Sequence, residues 1–220
     1  MEIVKKILNI FSKKLTTTKT DTPQYVDLGL PSGLKWAKWD IGAKTETDYG
    51  YYFQWGDIED KSNSDYSWES YKYCNGTYKT LTKYCTNSSY GTVDNKTTLE
   101  PTDDAASQIM GGNWRMPTAA EFQELYDNTT NEWVKDYNGS GVNGMKFTSK
   151  TNGKSIFFPA SGYASGTGVY SRGSYGYYWS SSLHPSDSYR GLHLYFSSGY
   201  INPQDYFSRY YGFCVRGVFI

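Results

Sequence analysis

Whatever chemistry this 220-residue chain could perform rests on two histidines, three cysteines and scattered carboxylates. Nucleophilic catalysis needs a base within hydrogen-bond reach of a Ser or Cys and a third group to orient it. His184 and His193 both fall in the C-terminal third, away from a plausible nucleophile and orienting carboxylate, so the spacing predicts no triad. Asp57, Glu59 and Asp60 crowd the run WGDIED. They lack the Asp-x-Asp-x-Asp-Gly spacing with which a calcium loop wraps its ion, and a solvated turn is expected instead. Cys74, Cys85 and Cys214 fit neither an even-numbered disulfide framework nor the paired Cys/His spacing of zinc. Cys74 and Cys85 are either a bridge or two packed thiols, and Cys214, in the apolar closing run, reads as a small buried hydrophobe. The expectation is a non-enzymatic chain: no catalytic residues, no metal and no cofactor.

A stronger signal is a change of alphabet. No lysine follows Lys154 and no glutamate follows Glu132, whereas Arg172, Arg190, Arg209 and Arg216 all fall beyond them. From residue 180 to 220 there is no Lys, Glu, Met or Trp, and Gln204 is the only glutamine. Random replacement of the adenines in an AAC codon yields every residue except Lys, Glu, Gln, Met and Trp. The segment obeys that restriction apart from Gln204. A β-rich aromatic surface that simply favours Tyr and Ser gives a similar composition. On either account the alphabet suits binding, because Tyr offers rigid amphipathic area at low entropic cost while Ser, Gly and Asn adapt their hydrogen bonds.

The elements that must carry these residues are short. Net charge is +0 and Tyr, Phe and Trp number 23, 10 and 7, which argues against nucleic acid as a partner and for strands and loops over helices. YVDLGL, LKWAKWDIG and YYFQW read as strands. GMKFTSKTNGKSIFF reads as a hairpin, with Asn152-Gly153 supplying positive backbone angles at a tight turn. PTAAEFQELYDN predicts a helix capped by Thr118 and Glu121, with Phe122, Leu125 and Tyr126 on one face. TDDAASQIM predicts a second, with Asp103 and Asp104 in its first turn. Residues 1–15 place Ile3, Val4, Ile7, Leu8, Phe11 and Leu15 at helical spacing among lysines. That is an amphipathic helix, expected to dock on its own domain or to form a homo-oligomer, with a membrane surface as the alternative. No signal peptide or membrane span is recognisable. Residues 16–23 read as a linker and 24–220 as one α+β domain with few helices, short antiparallel strands and long loops.

Several stretches carry a resemblance. YVDLGLPSGLKWAKWDIGAKTETDYGYYFQWGD, GGNWRMPTAAEFQEL, GVNGMKFTSKTNGKSIFFPASGY and GYYWSSS resemble the Bacteroidetes "major paralogous domain" family, named for Fibrobacter succinogenes, whose members share the formylglycine-generating-enzyme type of C-type lectin fold. The resemblance implies that fold. The reactive or copper-binding cysteine pairs of the generating enzymes have no counterpart here, so their activity does not follow. Within the fold, the frame YYWSSS, LYFSSG, NPQ, a lone Arg and GFCVR is similar to the variable region of diversity-generating retroelement target proteins, in which a reverse transcriptase rewrites adenine positions. NPQD also shares letters with the proline-centred sugar loops of calcium-dependent lectins. Only Asp187 and Asp205 follow Asp136 as acidic residues, so that match is read as chance.

Carried onto this chain, the resemblance implies a variable region at about 170–211. Its varied, ligand-binding positions are Leu183, His184, Pro185, Asp187, Tyr189, Arg190, Gly191, His193, Tyr200, Asp205, Tyr206, Phe207, Ser208, Tyr210 and Tyr211. Trp179, Ser180, Phe196, Pro203, Arg209, Gly212, Val215 and Arg216 would be scaffold. The expected function is a hypervariable receptor-binding protein on a phage virion or bacterial cell surface, with a protein or glycan as partner. The alternative is an ordinary surface protein of the same family that binds glycan or protein through a fixed site.

Overall fold

The computed structural model describes residues 25–61 and 65–220. The expected N-terminal helix and linker, and with them any self-association through that helix, lie outside the described residues. The remainder is α+β with few helices: short antiparallel strands joined by long loops.

Strands β1 (Tyr25–Asp27) and β2 (Lys35–Ala37) open the domain. They are joined by a turn in which Gly33, at φ +76°, donates to Leu30. Helix α1 (Ala105–Met110) and helix α2 (Ala119–Asn128) follow a long irregular stretch. Then come β3 (Thr129–Val134), β4 (Gly144–Ser149) and β5 (Ser155–Pro159), which form one sheet, and the small hairpin of β6 (Tyr163–Ser165) and β7 (Gly168–Tyr170). Strands β8 (Gly176–Leu183), β9 (Arg190–Phe196) and β10 (Ile201–Ser208) form a second sheet in the order β10-β9-β8. Finally β11 (Val218–Phe219) pairs with β2, so the two ends of the described domain meet in one sheet.

Helix α2 forms where the sequence places it. Thr118 accepts from the Glu121 amide at 3.2 Å and the Glu121 carboxylate accepts from the Thr118 amide at 2.8 Å, completing the capping box. Glu121 is also gripped by both arms of the Arg115 guanidinium, at 2.7 and 2.5 Å, while the Arg115 backbone bridges Val218. The Trp-Arg-Met-Pro-Thr stretch thereby ties the helix to the closing strand.

Four local expectations change. In TDDAASQIM the α-helix starts only at Ala105, because Asp104 is its N-cap, accepting from Ser107 at 2.8 Å and from Met116. Asp103 leaves the helix dipole altogether and binds Lys83 and the Tyr84 hydroxyl. Between β4 and β5 only Gly153 takes a positive φ, +70°, and the loop closes through Ser149 to Lys154 rather than as a two-residue turn. YYFQW is extended but forms only the isolated bridge of Phe53 with Phe213. The closing run likewise makes single bridges, Cys214 to Tyr178 and Phe213 to Phe53, before it becomes β11. In both runs the neighbouring chain crosses once and departs.

Two hydrophobic clusters share the β8–β10 sheet. Tyr178, Leu194 and Phe196 point into one, with Trp36, Phe122, Phe147 and Phe158. Trp179 points into the other, with Trp55, Tyr71, Tyr84, Phe213 and Val215. Successive strand residues face opposite ways, so consecutive residues of β8 serve different clusters and the sheet is buried at its centre on both sides. That double burial fixes the strand register. Cys85 and Cys214 are buried free thiols and Cys74 is half-buried and free, so the cysteines pack rather than bridge.

Two buried arginines hold the loops to these clusters. Arg216 donates to Asp40 at 2.6 Å and to the carbonyls of Ala37, Lys38 and Phe157. Burial raises the Asp40 carboxyl above its ordinary value despite that partner. Arg209, also fully buried, forms no ion pair among the described residues. Its guanidinium is held by the Tyr71 hydroxyl at 2.7 Å and by the carbonyls of Tyr84, Ser188 and Lys83, between the faces of Trp55 and Tyr71. Carbonyl dipoles there replace a counter-ion.

Candidate functional site

Reading upward from β8–β10, the residues singled out from the sequence lie at both ends of one sheet and in the segment that follows it. The loop from His184 to Tyr189 joins β8 to β9, and the turn ending at Tyr200 joins β9 to β10 at the opposite end. Tyr200 and Tyr206 are 58% and 45% exposed, and Pro185 is exposed with them. His184, Asp187, Tyr189, Arg190, Asp205, Phe207, Ser208, Tyr210 and Tyr211 are half-buried.

Three of the expected display positions are not on the surface. Leu183 is 4% exposed and packs in the second cluster. Gly191 is buried, and a Cβ there would lie 2.8 Å from Trp55. His193 is 0% exposed, enclosed by Tyr177, Trp179, Phe207 and Phe213. The physical reason is strand alternation: His193 lies across from Trp179 and faces the same cluster. The frame residues Trp179, Ser180, Phe196, Pro203, Arg209, Gly212, Val215 and Arg216 are all buried.

The exposed positions form two groups. In the first, His184 and Tyr206 meet at 4.8 Å between ring centres, and Arg190 lies over both Tyr206 and Tyr189 at 4.8 and 4.9 Å. Asp187 pairs with Arg190 at 3.3 Å and accepts from the Tyr90 hydroxyl at 3.1 Å. Nδ1 of His184 accepts from the Asp187 amide at 3.0 Å, so it carries no proton and the nearby carboxylate is not its ion-pair partner. Burial likewise lowers the His184 pKa. In the second group Tyr210 stacks on Tyr211 at 4.2 Å and Tyr211 meets Phe207 at 4.5 Å, while Asp205 lies 4.0 Å from the His193 ring. Burial raises the Asp205 carboxyl.

Residues outside the expected set join these groups. Trp68 contacts Tyr210 at 5.2 Å, and Tyr78 and Tyr90 each contact Tyr189 at 5.2 Å. On the other side Tyr177 and Tyr195 link Phe207 towards Tyr200. A continuous belt of rings therefore runs from Tyr200 to Tyr90. A cleft of about 480 Å³ opens within it, between Trp68, Tyr78 and Tyr90 on one wall and Tyr189 and Ser208 on the other. Trp68 and Tyr78 of the first wall lie in the aromatic-dense run SWESYKYCNGTYK, whose density carries no spacing from which to place them, and Tyr90 lies beyond it.

No group of His, Cys, Asp and Glu suited to a metal ion occurs among the described residues. Asp57 is buried and paired with Lys61 at 2.7 Å rather than lying in a solvated turn; its carboxylate also accepts from the Ile58 amide. Among the described residues no helix is long and apolar enough to cross a membrane.

Residues 134–218 match the model of a family described as a domain of unknown function, DUF8237. The match runs from the end of β3 into β11 and so includes the whole β8–β10 sheet. No curated protein and no solved structure matches the chain.

Proposed function

We propose that this protein is a non-enzymatic, hypervariable receptor-binding protein, diversified by a retroelement and displaying its varied residues on a C-type lectin-like scaffold. One observation carries the reading. Twelve of the fifteen expected positions in the segment of restricted alphabet are half-buried or exposed, while the interspersed frame residues are all buried. A surface rebuilt at random positions needs that separation, because changes at buried positions cost stability whereas exposed ones are close to neutral. The meeting of β1, β2 and β11 in one sheet and the small number of helices are compatible with the proposed scaffold. The varied set contracts to the twelve positions that remain after Leu183, Gly191 and His193 are removed from the fifteen.

The protein sits on a phage virion or a bacterial cell surface, and its partner is a protein or glycan receptor. The gene provides the test. Codons at the varied positions are expected to end in one pyrimidine, with an Asn-rich near-copy of the segment and a reverse transcriptase gene close by. Mixed third bases and no template copy would overturn the proposal. A fixed-site surface protein is the second reading, favoured by Trp68, Tyr78 and Tyr90, which belong to the same belt but lie outside the restricted segment. Under it the scaffold is the same and the template copy is missing.

A further inference from the structure

The cleft between the 68–90 segment and Tyr189 is lined by rings of the belt on both sides, and its walls have a definite chemistry. Tyr78, Tyr90 and Tyr189 contact one another at 5.2 to 6.4 Å with their planes inclined by 50° to 60°. Rings so inclined form a cup in which no two of the three stack face to face. Ser89 and Ser208 stand at its edge, and neither hydroxyl is hydrogen-bonded among the described residues. An apolar side chain seated here would strip water from those hydroxyls without replacing it, at a cost. A pyranose matches both features, packing its C–H face on the rings while its hydroxyls meet the serines.

Charge narrows the class. Lys79 lines the cleft, lies 5.7 Å from the Tyr78 ring and forms no ion pair among the described residues. Asp187, the carboxylate that reaches Tyr90, is already engaged by Arg190 and by that hydroxyl. The cleft therefore presents an uncompensated positive charge beside an aromatic cup. We infer that it is a saccharide subsite selective for a carboxylated ring such as a hexuronate, with Tyr78 and Tyr90 as a constant anchor and Tyr189 and Ser208 as the adjustable wall. This inference rests on the proposed receptor-binding face and names the ligand class for one part of it.

The test uses the full chain, isotope-labelled, titrated with a glucuronate-terminated disaccharide, its neutral glucose-terminated counterpart and free glucuronate, while amide shifts are followed. Saturable shifts at Tyr78, Tyr90 and Tyr189 are expected, with the acidic disaccharide bound about twofold to fivefold tighter than the neutral one, the range of an exposed ion pair. Lys79→Gln should abolish that preference and Tyr78→Ala should weaken both disaccharides at least about fivefold, while Tyr25→Ala, remote from the cleft, changes neither. Equal or tighter binding of free glucuronate assigns the cleft to the ring alone; tighter binding of the disaccharide assigns it to a glycan end. No saturable shift, shifts elsewhere, or an acid preference that survives Lys79→Gln would overturn the inference. Loss of saccharide binding with uniform third bases removes the subsite alone, whereas mixed third bases remove diversification and leave the subsite standing.

Discussion

His193 offers a measurement in which sign and size both follow from the structure. The ring is fully buried among Tyr177, Trp179, Phe207 and Phe213, and neither nitrogen has a hydrogen-bond partner among the described residues. The facing charged group is Asp205, 4.0 Å away and beyond hydrogen-bond reach. Burial holds the pKa down to about 3 from 6.5. Between those values the unfolded chain binds a proton that the native state refuses, so stability is fully present above pH 6.5 and declines as pH falls. At pH 5 the deficit is 1.5 pH units below 6.5, about 2 kcal/mol. Asp40, Asp104 and Asp205 have raised values and work in the opposite direction, favouring the native state as they gain protons. Comparing wild type with His193→Phe by urea unfolding at pH 7 and pH 5 isolates the histidine. Phenylalanine adds volume to a packed site and shifts stability by an amount independent of pH. The difference between the two pH values should nevertheless shrink by about 2 kcal/mol in the variant. Equal pH dependence in both proteins, or a His193 ring resonance titrating near 6.5, would refute the argument.

Other substitutions probe the frame that carries the belt. Arg209→Met leaves the carbonyls of Lys83, Tyr84 and Ser188 without their donor and should cost about 3 kcal/mol or more in urea unfolding at constant m-value. Gly191→Ala places a methyl 2.8 Å from Trp55 and should cost about 1–3 kcal/mol, whereas Tyr206→Ala, at an exposed position, should change stability by less than about 0.5 kcal/mol. Thr118→Ala removes one arm of the α2 capping box and should lower stability by about 1 kcal/mol, with Thr118→Ser retaining most of it.

Much of the local structure was legible because its causes are local. The α2 helix is set by Thr118, Glu121 and the spacing of Phe122 and Leu125, and all of these act within a few residues. The β4–β5 hairpin was visible in its alternation, though its turn was not, since Asn152 keeps a negative φ once Ser149 and Asn152 side chains bond the loop amides. Asp103 and Asp104 look equivalent in sequence. One became a cap and the other a partner of Lys83 and Tyr84, because the 83–84 segment packs beside it.

The sequence by itself determined the class of domain, the capped helix and the restricted alphabet of the C-terminal segment. Composition and short-range spacing contain that information directly. Only the tertiary structure decided which members of the segment are displayed. His193 and Tyr195 are two residues apart on one strand and share a face, yet Phe213 covers the first and leaves the second half-buried. The same long-range packing brings Trp68, Tyr78 and Tyr90 beside Tyr189 across roughly a hundred residues of chain, held there by the clamp of Arg209 on Lys83, Tyr84 and Ser188. Burial at a strand's centre depends on what crosses it, and neighbours distant in sequence leave no periodicity to read.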